Sequence, residues 1–537
     1  MFFSKFSQKI QIVDIVLLQF YHTNSVHKGR KMLKKIAFLG LFLGLCFGAT
    51  PKDTIVVAVE NEIERINPIF SEDHDEAVRL IFSGLVRFDE KMKIQPDLAK
   101  SWKVSKDGLT YSFELRDDVL WHDGAKFSAK DVEFTLKAVN DTKFNSPVRA
   151  NYEMIKDIKV LDDTHISITL AYPFPAFLDA LMMGMLPAHL LQNENLNTSK
   201  FNQKPIGTGA FKFKAWKKGQ YLSLEANENY HLGKVQSPKL ILKHISDPNI
   251  SALELKNGSV DVALVGFEMV ESFKNDDKFK VLVENSADYR ALMYNFDNPI
   301  FKDKAVREAL DYAVDKRLIV DKLLHSLGKV AYHPLQNSWV SPKKSTQRAY
   351  NPQKASEILA KAGWQKNAKG ILEKNGVELK FDLYAMSNDP LRVALVKLLS
   401  SEFGKIGIKT QVFAKPAGSF DYSKVDSFLV GWGTPYDPDL HTYRVFESTQ
   451  DKVWNFGHYK NAKVDEALKK ARSTLDEKKR KAHYAEFINA LNEEPPFLFL
   501  VYLDFPLVYS KDIKGIKPQI LGHHGVGFSW NAWQWSK

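Results

Sequence analysis

Three stretches of this 537-residue chain, and one further histidine, carry side chains whose types and spacing could do chemistry. The first is the pair His523-His524, set among glycines in Leu521-Gly-His-His-Gly-Val-Gly527. An imidazole in such a loop need not pack in a core, and neutral imidazole suits Ni²⁺ and similar ions. A lone loop histidine is usually just solvated, whereas a pair is a modest metal signal. His74, in Ser71-Glu-Asp-His-Asp75, is a second candidate metal ligand. The second stretch is Ser387-Asn-Asp-Pro-Leu-Arg392, which places Arg392 just inside a helix start. Arg392 reads either as a surface charge or as a clamp for a small carboxylate. The third is Val430-Gly-Trp-Gly-Thr-Pro-Tyr-Asp-Pro-Asp-Leu-His441, which follows an apolar run of strand length. It is either a stiff structural loop or a binding loop, with Trp432 and Tyr436 as walls and Asp437 or Asp439 as polar contacts.

Other chemistries lack their signatures. There is no P-loop, no HExxH and no CxxC. Ile206-Gly-Thr-Gly-Ala-Phe211 lacks the third glycine of a dinucleotide fingerprint and leads into a strand, so it reads as a tight turn. Trp121-His122-Asp123-Gly124 also reads as structural, because neighbours in an extended segment point opposite ways. No enzyme and no catalytic cofactor are expected. Of the 75 Lys and Arg, seven lie in residues 1–49, as does one of the 64 Asp and Glu, which leaves 68 against 63. That near balance, with no basic-aromatic stripe, argues against nucleic acid as a partner.

The only cysteine, Cys46, lies in the 13-residue apolar run Ile36–Gly48, preceded by Lys34-Lys35 and followed by Ala49. This is the pattern of a secretory signal peptide, too short for a membrane span, and Met32 begins it complete. Residues 1–49 therefore read as a signal peptide behind an upstream start-site extension. Cleavage after Gly48 or Ala49 leaves no cysteine for a disulfide. Acylation at Cys46 is less favoured, because Leu45 is larger than such sites prefer. A periplasmic, monomeric protein is expected.

The elements that must position these residues follow from periodicity. Lys106-Asp107-Gly108 is a turn between two apolar runs, and Tyr111, Phe113 and Leu115 alternate as a half-buried strand. Ser128 and Asp131 cap a helix carrying Val132, Leu136 and Val139. Strands are expected at 54–60, 211–216, 221–226, 260–265 and 289–296, then at 378–385, 408–413 and 427–431. A helix should run on from Asp303, with others over 352–362, 389–406, 463–471 and 476–492. The result is an α/β protein of two lobes. Lobe I takes 50–289 plus 504–537 and lobe II takes 290–503, so the first lobe is discontinuous, with a hinge between.

Asp53–Pro68, Ser71–Asp75, Val119–Val132, Ser387–Val393, Ala414–Leu429 and Gly522–Phe528 resemble the peptide/nickel family of extracytoplasmic solute-binding proteins, and most closely its NikZ-type nickel-binding branch. The resemblance covers nearly the whole mature chain. It implies a two-lobed periplasmic binding protein (type II, cluster C) serving an inner-membrane ABC permease and its ATPase. It also implies Ni²⁺ as the transported ligand, held with a small chelator such as free histidine or an organic acid. By resemblance His74 and His523 become metal ligands, with His524 beside them, and Arg392 anchors the chelator's carboxylate. Arg149 and Tyr152, from Val148-Arg-Ala-Asn-Tyr152, become an Arg/aromatic pair lining the pocket. Peptide-binding relatives carry an Asp three residues after the equivalent of Trp432, where this chain has Pro435. The alternative reading is a dipeptide- or oligopeptide-binding importer protein.

Overall fold

The computed structural model describes residues 50–71, 75–451 and 453–537. The proposed signal peptide with Cys46, and His74, lie outside the described residues. Two long antiparallel strands, Phe279–Tyr294 and Phe497–Ser510, run through the centre of an eleven-stranded mixed sheet. On one side lie Ser427–Trp432, Lys380–Met386 and Lys409–Lys415, the last two parallel to one another and Lys380–Met386 parallel to Ser427–Trp432. On the other lie Val262–Leu264, Thr54–Val59 and Lys239–His244, with Thr54–Val59 parallel to both neighbours. The hairpin Phe211–Lys217/Tyr221–Ala226 closes that edge. Parallel strands buried on both faces are apolar throughout, and all six residues of Thr54–Val59 are buried.

Between Asn285 and Tyr289 the register of the two long strands shifts. Such an irregularity leaves residues outside the ladder and re-aims their side chains. The C-terminal tail enters there: the Ala287 amide donates to the Leu521 carbonyl and the Leu521 amide to that of Asn285. The tail ends against residues of the first part of the chain, with the Gln236 amide donating to Trp533 and Lys537 Nζ 2.9 Å from Asp261.

A separate four-stranded antiparallel sheet, Ala99–Val104, Thr110–Leu115, His165–Leu170 and Ile155–Val160, packs with the helix Ala129–Asn140. Here the local reading holds. Tyr111, Phe113 and Leu115 are buried in alternation, and the Asp131 carboxylate accepts from the Ser128 amide at 2.9 Å. His122 is a structural residue, as expected. Its Nδ1 accepts from the Gly207 amide at 3.1 Å, so Nε2 donates to the Gly209 carbonyl at 3.0 Å. That turn in turn lies on the end of the helix Glu76–Ile81: a Cβ on Gly207 would meet the Ile81 carbonyl oxygen at 1.8 Å.

Two expectations are corrected and one element is added. The strand expected at 289–296 begins at Phe279, because the register break interrupts its alternation. The helix after Asp303 stops at Tyr312, and Asp315 caps a new short helix. A helix unread from sequence, Asp439–Phe446, follows the Trp432 loop and is buried all round, so it shows no amphipathic period.

Candidate functional site

In open α/β sheets, ligands bind outside the carboxyl ends of parallel strands, where following loops and helix starts collect. Both halves of this sheet present such ends here. Glu60 follows Thr54–Val59, the turn to Arg392 follows Lys380–Met386, and Trp432 ends its own strand.

Arg392 is no surface charge: it is 3% exposed. Asp389 caps the helix Pro390–Lys405, accepting from the Arg392 amide at 3.0 Å, and its other oxygen lies 2.9 Å from Arg392 Nε. The guanidinium also meets the Met386 sulfur at 3.5 Å and His523 Nε2 at 3.4 Å. A second buried arginine, Arg290, pairs with Asp288 at 2.5 Å and lies 3.8 Å from Asp389. Burial pushes the Asp389 carboxyl upward, but the guanidinium groups of Arg392 and Arg290 outweigh it and hold that carboxyl below its ordinary value. Gly431 admits the two guanidinium groups, since a Cβ there would lie 2.4 Å from Arg290 Nη1 and 2.8 Å from Arg392 Nη2.

The tail brings the histidines to this cluster. His523 Nδ1 lies 3.0 Å from Asp288 Oδ1, and the His524 amide donates to Asp288 Oδ2 at 3.1 Å. The two imidazoles lie 3.8 Å apart, and His524 Nδ1 sits 3.3 Å from Glu60. His523 faces a small chamber of about 30 Å³ with Trp432, Pro435, Tyr436, His441, Arg444, Trp454 and Arg79 among its walls. His524 faces a larger one of about 510 Å³, lined by Glu60 to Arg65, Ser71, Asp75 and Phe528. Val526 lines both. Arg290 and Arg392 meet the carboxylates Asp288 and Asp389, Glu60 meets His524, and Arg79 and Arg444 add two more guanidinium groups in the chamber wall, so charges of both signs surround the histidines. Among the described residues, no three His, Cys, Asp or Glu side chains are grouped to hold a metal by themselves.

The structure thus brings together His523, His524, Arg392, Trp432 and Tyr436. Tyr436 accepts from Arg79 at 2.8 Å and packs on Phe88; Trp432 stacks on Trp454. Tyr152 lines a neighbouring cavity with Arg79 and Asp75, and its hydroxyl donates to the Ala180 carbonyl at 2.6 Å. Arg149 is half-buried in the turn Arg149–Asn151 before it. Asp437 and Asp439 are turned to other work. Arg480 binds Asp437 through two nitrogens, one at 2.7 Å, and Arg472 binds Asp439 at 2.7 and 3.1 Å.

Glu60, Asp288, Arg290, His441 and Arg444 were not singled out from sequence. Asp288 and Arg290 did leave a signal, two charges inside a strand whose later residues are apolar. His441, buried against Tyr289 with the hydroxyl 3.1 Å from Nε2, is pushed down to about 3 by burial, then by Arg444. A histidine depressed in the folded state binds more protons unfolded. Its contribution to stability is therefore complete above about 6.5 and is lost as pH falls below it, at about 1.4 kcal/mol per pH unit. Asp179 and Glu284, both raised by burial to about 7, act in the opposite sense. The His441 contribution is read as a difference: urea unfolding of wild type and His441→Gln should converge as pH falls from 7 to 4.5. A constant gap would contradict the neutral buried ring.

The model for bacterial extracellular solute-binding proteins, family 5, matches residues 93–454. The structure of NikZ from Campylobacter jejuni in complex with Ni(L-His) is 59% identical, covers 91% of this chain and 100% of that one, and superposes with a TM-score of 0.89. The oligopeptide-binding protein AppA of Bacillus subtilis, solved with a nonapeptide, is 30% identical over 90% of this chain and 98% of that one, with a TM-score of 0.82. The nickel-binding periplasmic protein of Escherichia coli is 28% identical over 493 residues, 87% of this chain and 92% of its own length. Among the described residues no helix is long and apolar enough to cross a membrane.

Proposed function

The chain belongs to the family 5 bacterial extracellular solute-binding proteins, and from that membership we propose that it captures nickel as a small-molecule chelate for an ABC importer. The observation that carries this reading is the meeting of His523 with the buried fork of Arg392, Nε2 to Nη2 at 3.4 Å. An imidazole can take a metal, and a guanidinium beside it can take the carboxylate of the metal's chelator. The 59% identity with a NikZ crystallised with Ni(L-His) supports the same pairing of metal and amino acid. His523 is the metal ligand closest to Arg392 in this reading, His524 and His74 are further ligands, and Trp432, Tyr436, Tyr152 and Arg149 shape the pocket.

The cleft opens and closes between lobe I (50–289 with 504–537) and lobe II (290–503), turning at the register break of the two long strands. The protein is secreted to the periplasm, acts as a monomer, catalyses nothing and hands its cargo to a permease and ATPase in the inner membrane. Partial coordination suits delivery, because two or three imidazoles leave positions for the chelator.

Peptide capture is the competing reading, supported by the likeness to AppA and by the 510 Å³ chamber. The engagement of Asp437 and Asp439 by Arg480 and Arg472 removes the carboxylates that would receive a peptide's amino group. Calorimetric titration of metal-stripped protein with NiCl₂, with and without L-histidine, separates the two. Tight binding that needs L-histidine and is lost in His74→Ala/His523→Ala is expected. Absence of nickel binding, with heat on adding short peptides, would overturn the nickel reading.

A further inference from the structure

Asp288 is fully buried at the register break of the two long strands, and its carboxylate meets donors from two other places in the chain. Arg290 Nη1 donates to Oδ1 at 2.5 Å, and the His524 amide donates to Oδ2 at 3.1 Å. His523 Nδ1 approaches Oδ1 at 3.0 Å. The direct guanidinium contact and the amide donor on the second oxygen favour the ionised form, which has no proton to give.

The far side of the His523 ring obeys the same logic. Arg392 Nη2 lies 3.4 Å from Nε2, and a guanidinium only donates. Nε2 must then be the accepting nitrogen, so the proton sits on Nδ1, where a carboxylate can receive it. Two neighbours that cannot exchange roles, one on each side of the ring, select one tautomer of a neutral imidazole. The selected one carries its lone pair on Nε2, the form a metal needs.

We infer that Asp288 is a positioning residue for cargo capture: it holds His523 as the Nδ1–H tautomer, with Nε2 turned to Arg392 and the residue in the wall of the chamber that Trp432 also lines. The identity of the cargo rests on the nickel-chelate reading; the tautomer is a property of the empty protein. The arrangement also links the two halves of the site. Metal on Nε2 takes the lone pair to which Arg392 donates, so one Arg392 N–H is handed from the imidazole to the arriving chelator's carboxylate. Because the same carboxylate also holds the His524 amide, the histidine loop is registered to the strand break rather than left to its glycines.

The test is ¹⁵N NMR of histidine-labelled, metal-free protein at pH 7.5, with His523 assigned by the His523→Gln spectrum. Wild type is expected to show the Nδ1–H tautomer. Asp288→Asn offers one accepting oxygen instead of two, so it should shift His523 toward the Nε2–H form. It should also weaken nickel–histidine binding about 10- to 100-fold, the usual cost of losing such a partner. The response to L-histidine, which belongs to Arg392, should persist. An Nε2–H ring in wild type overturns the inference even if the variant does not fold, as does an unchanged tautomer in a folded Asp288→Asn. An Nδ1–H ring in a wild type that binds no nickel upholds the hold of Asp288 on the ring and overturns the nickel reading instead.

Discussion

Arg392→Ala protein should lose the gain in nickel affinity that L-histidine confers, while keeping whatever weaker binding nickel shows alone. Arg392 is buried, and its Nη2 lies 3.4 Å from His523 Nε2. A chelator carboxylate bound there is desolvated, and truncating one partner of a buried charge pair costs about 2–5 kcal/mol, or at least roughly 30-fold in affinity. Arg392→Lys should recover little of it, because an ammonium on a flexible stem cannot present the planar fork and leaves the Met386 and Asp389 contacts unmatched. The alanine variant also leaves the second oxygen of Asp389 with only Arg290, at 3.8 Å, so its folding should be checked by circular dichroism at the titration temperature. Wild-type affinity for nickel–histidine in a folded Arg392→Ala protein would remove the guanidinium from the site.

Asp437→Asn should destabilise the fold by about 3–5 kcal/mol and leave chelate affinity nearly unchanged in the protein that remains folded. Both partners of the Asp437–Arg480 pair are buried, so the substitution leaves a guanidinium out of water without the carboxylate bonded to it. The loss should spread beyond the pair. Asp437 starts the turn into the helix Asp439–Phe446, its Oδ1 accepting from the Asp439 amide, and its own amide donates to Asp179. That helix carries His441 and Arg444 into the chamber wall. Denaturant unfolding and nickel–histidine titration on the same preparation decide it. Weakened binding with unchanged stability would return Asp437 to the ligand.

The pattern of success along the chain has a physical origin. The hairpin around Lys106-Asp107-Gly108 and the helix after Ser128 were legible because each depends on neighbours within a few residues: turn chemistry, alternation and a cap. The helix Asp439–Phe446 was not, because a helix buried on every face has no polar stripe to betray its period. The strand Phe279–Tyr294 was read only from its second half for a related reason. The break at 285–289 puts Ser286, Asp288 and Arg290 into buried positions, where polar residues suggest a loop.

The site divides along the same line. Residue type and local setting were enough to single out a pair of histidines among glycines, an arginine at a helix start and an aromatic loop, and to connect them with a metal and a carboxylate. Whether Arg392 lay at the surface or buried beside a histidine, and whether Asp437 faced solvent or an arginine, depended on partners 131 and 43 residues away. A carboxylate or guanidinium looks the same in sequence whether its counter-charge is water, a ligand or a distant side chain. Its role is set by which charges the packed sheet places within about 4 Å and by how much water is left between them. Composition and local pattern determined the elements and the chemical inventory of this protein; only the tertiary structure decided which of those charges were paired and dried together.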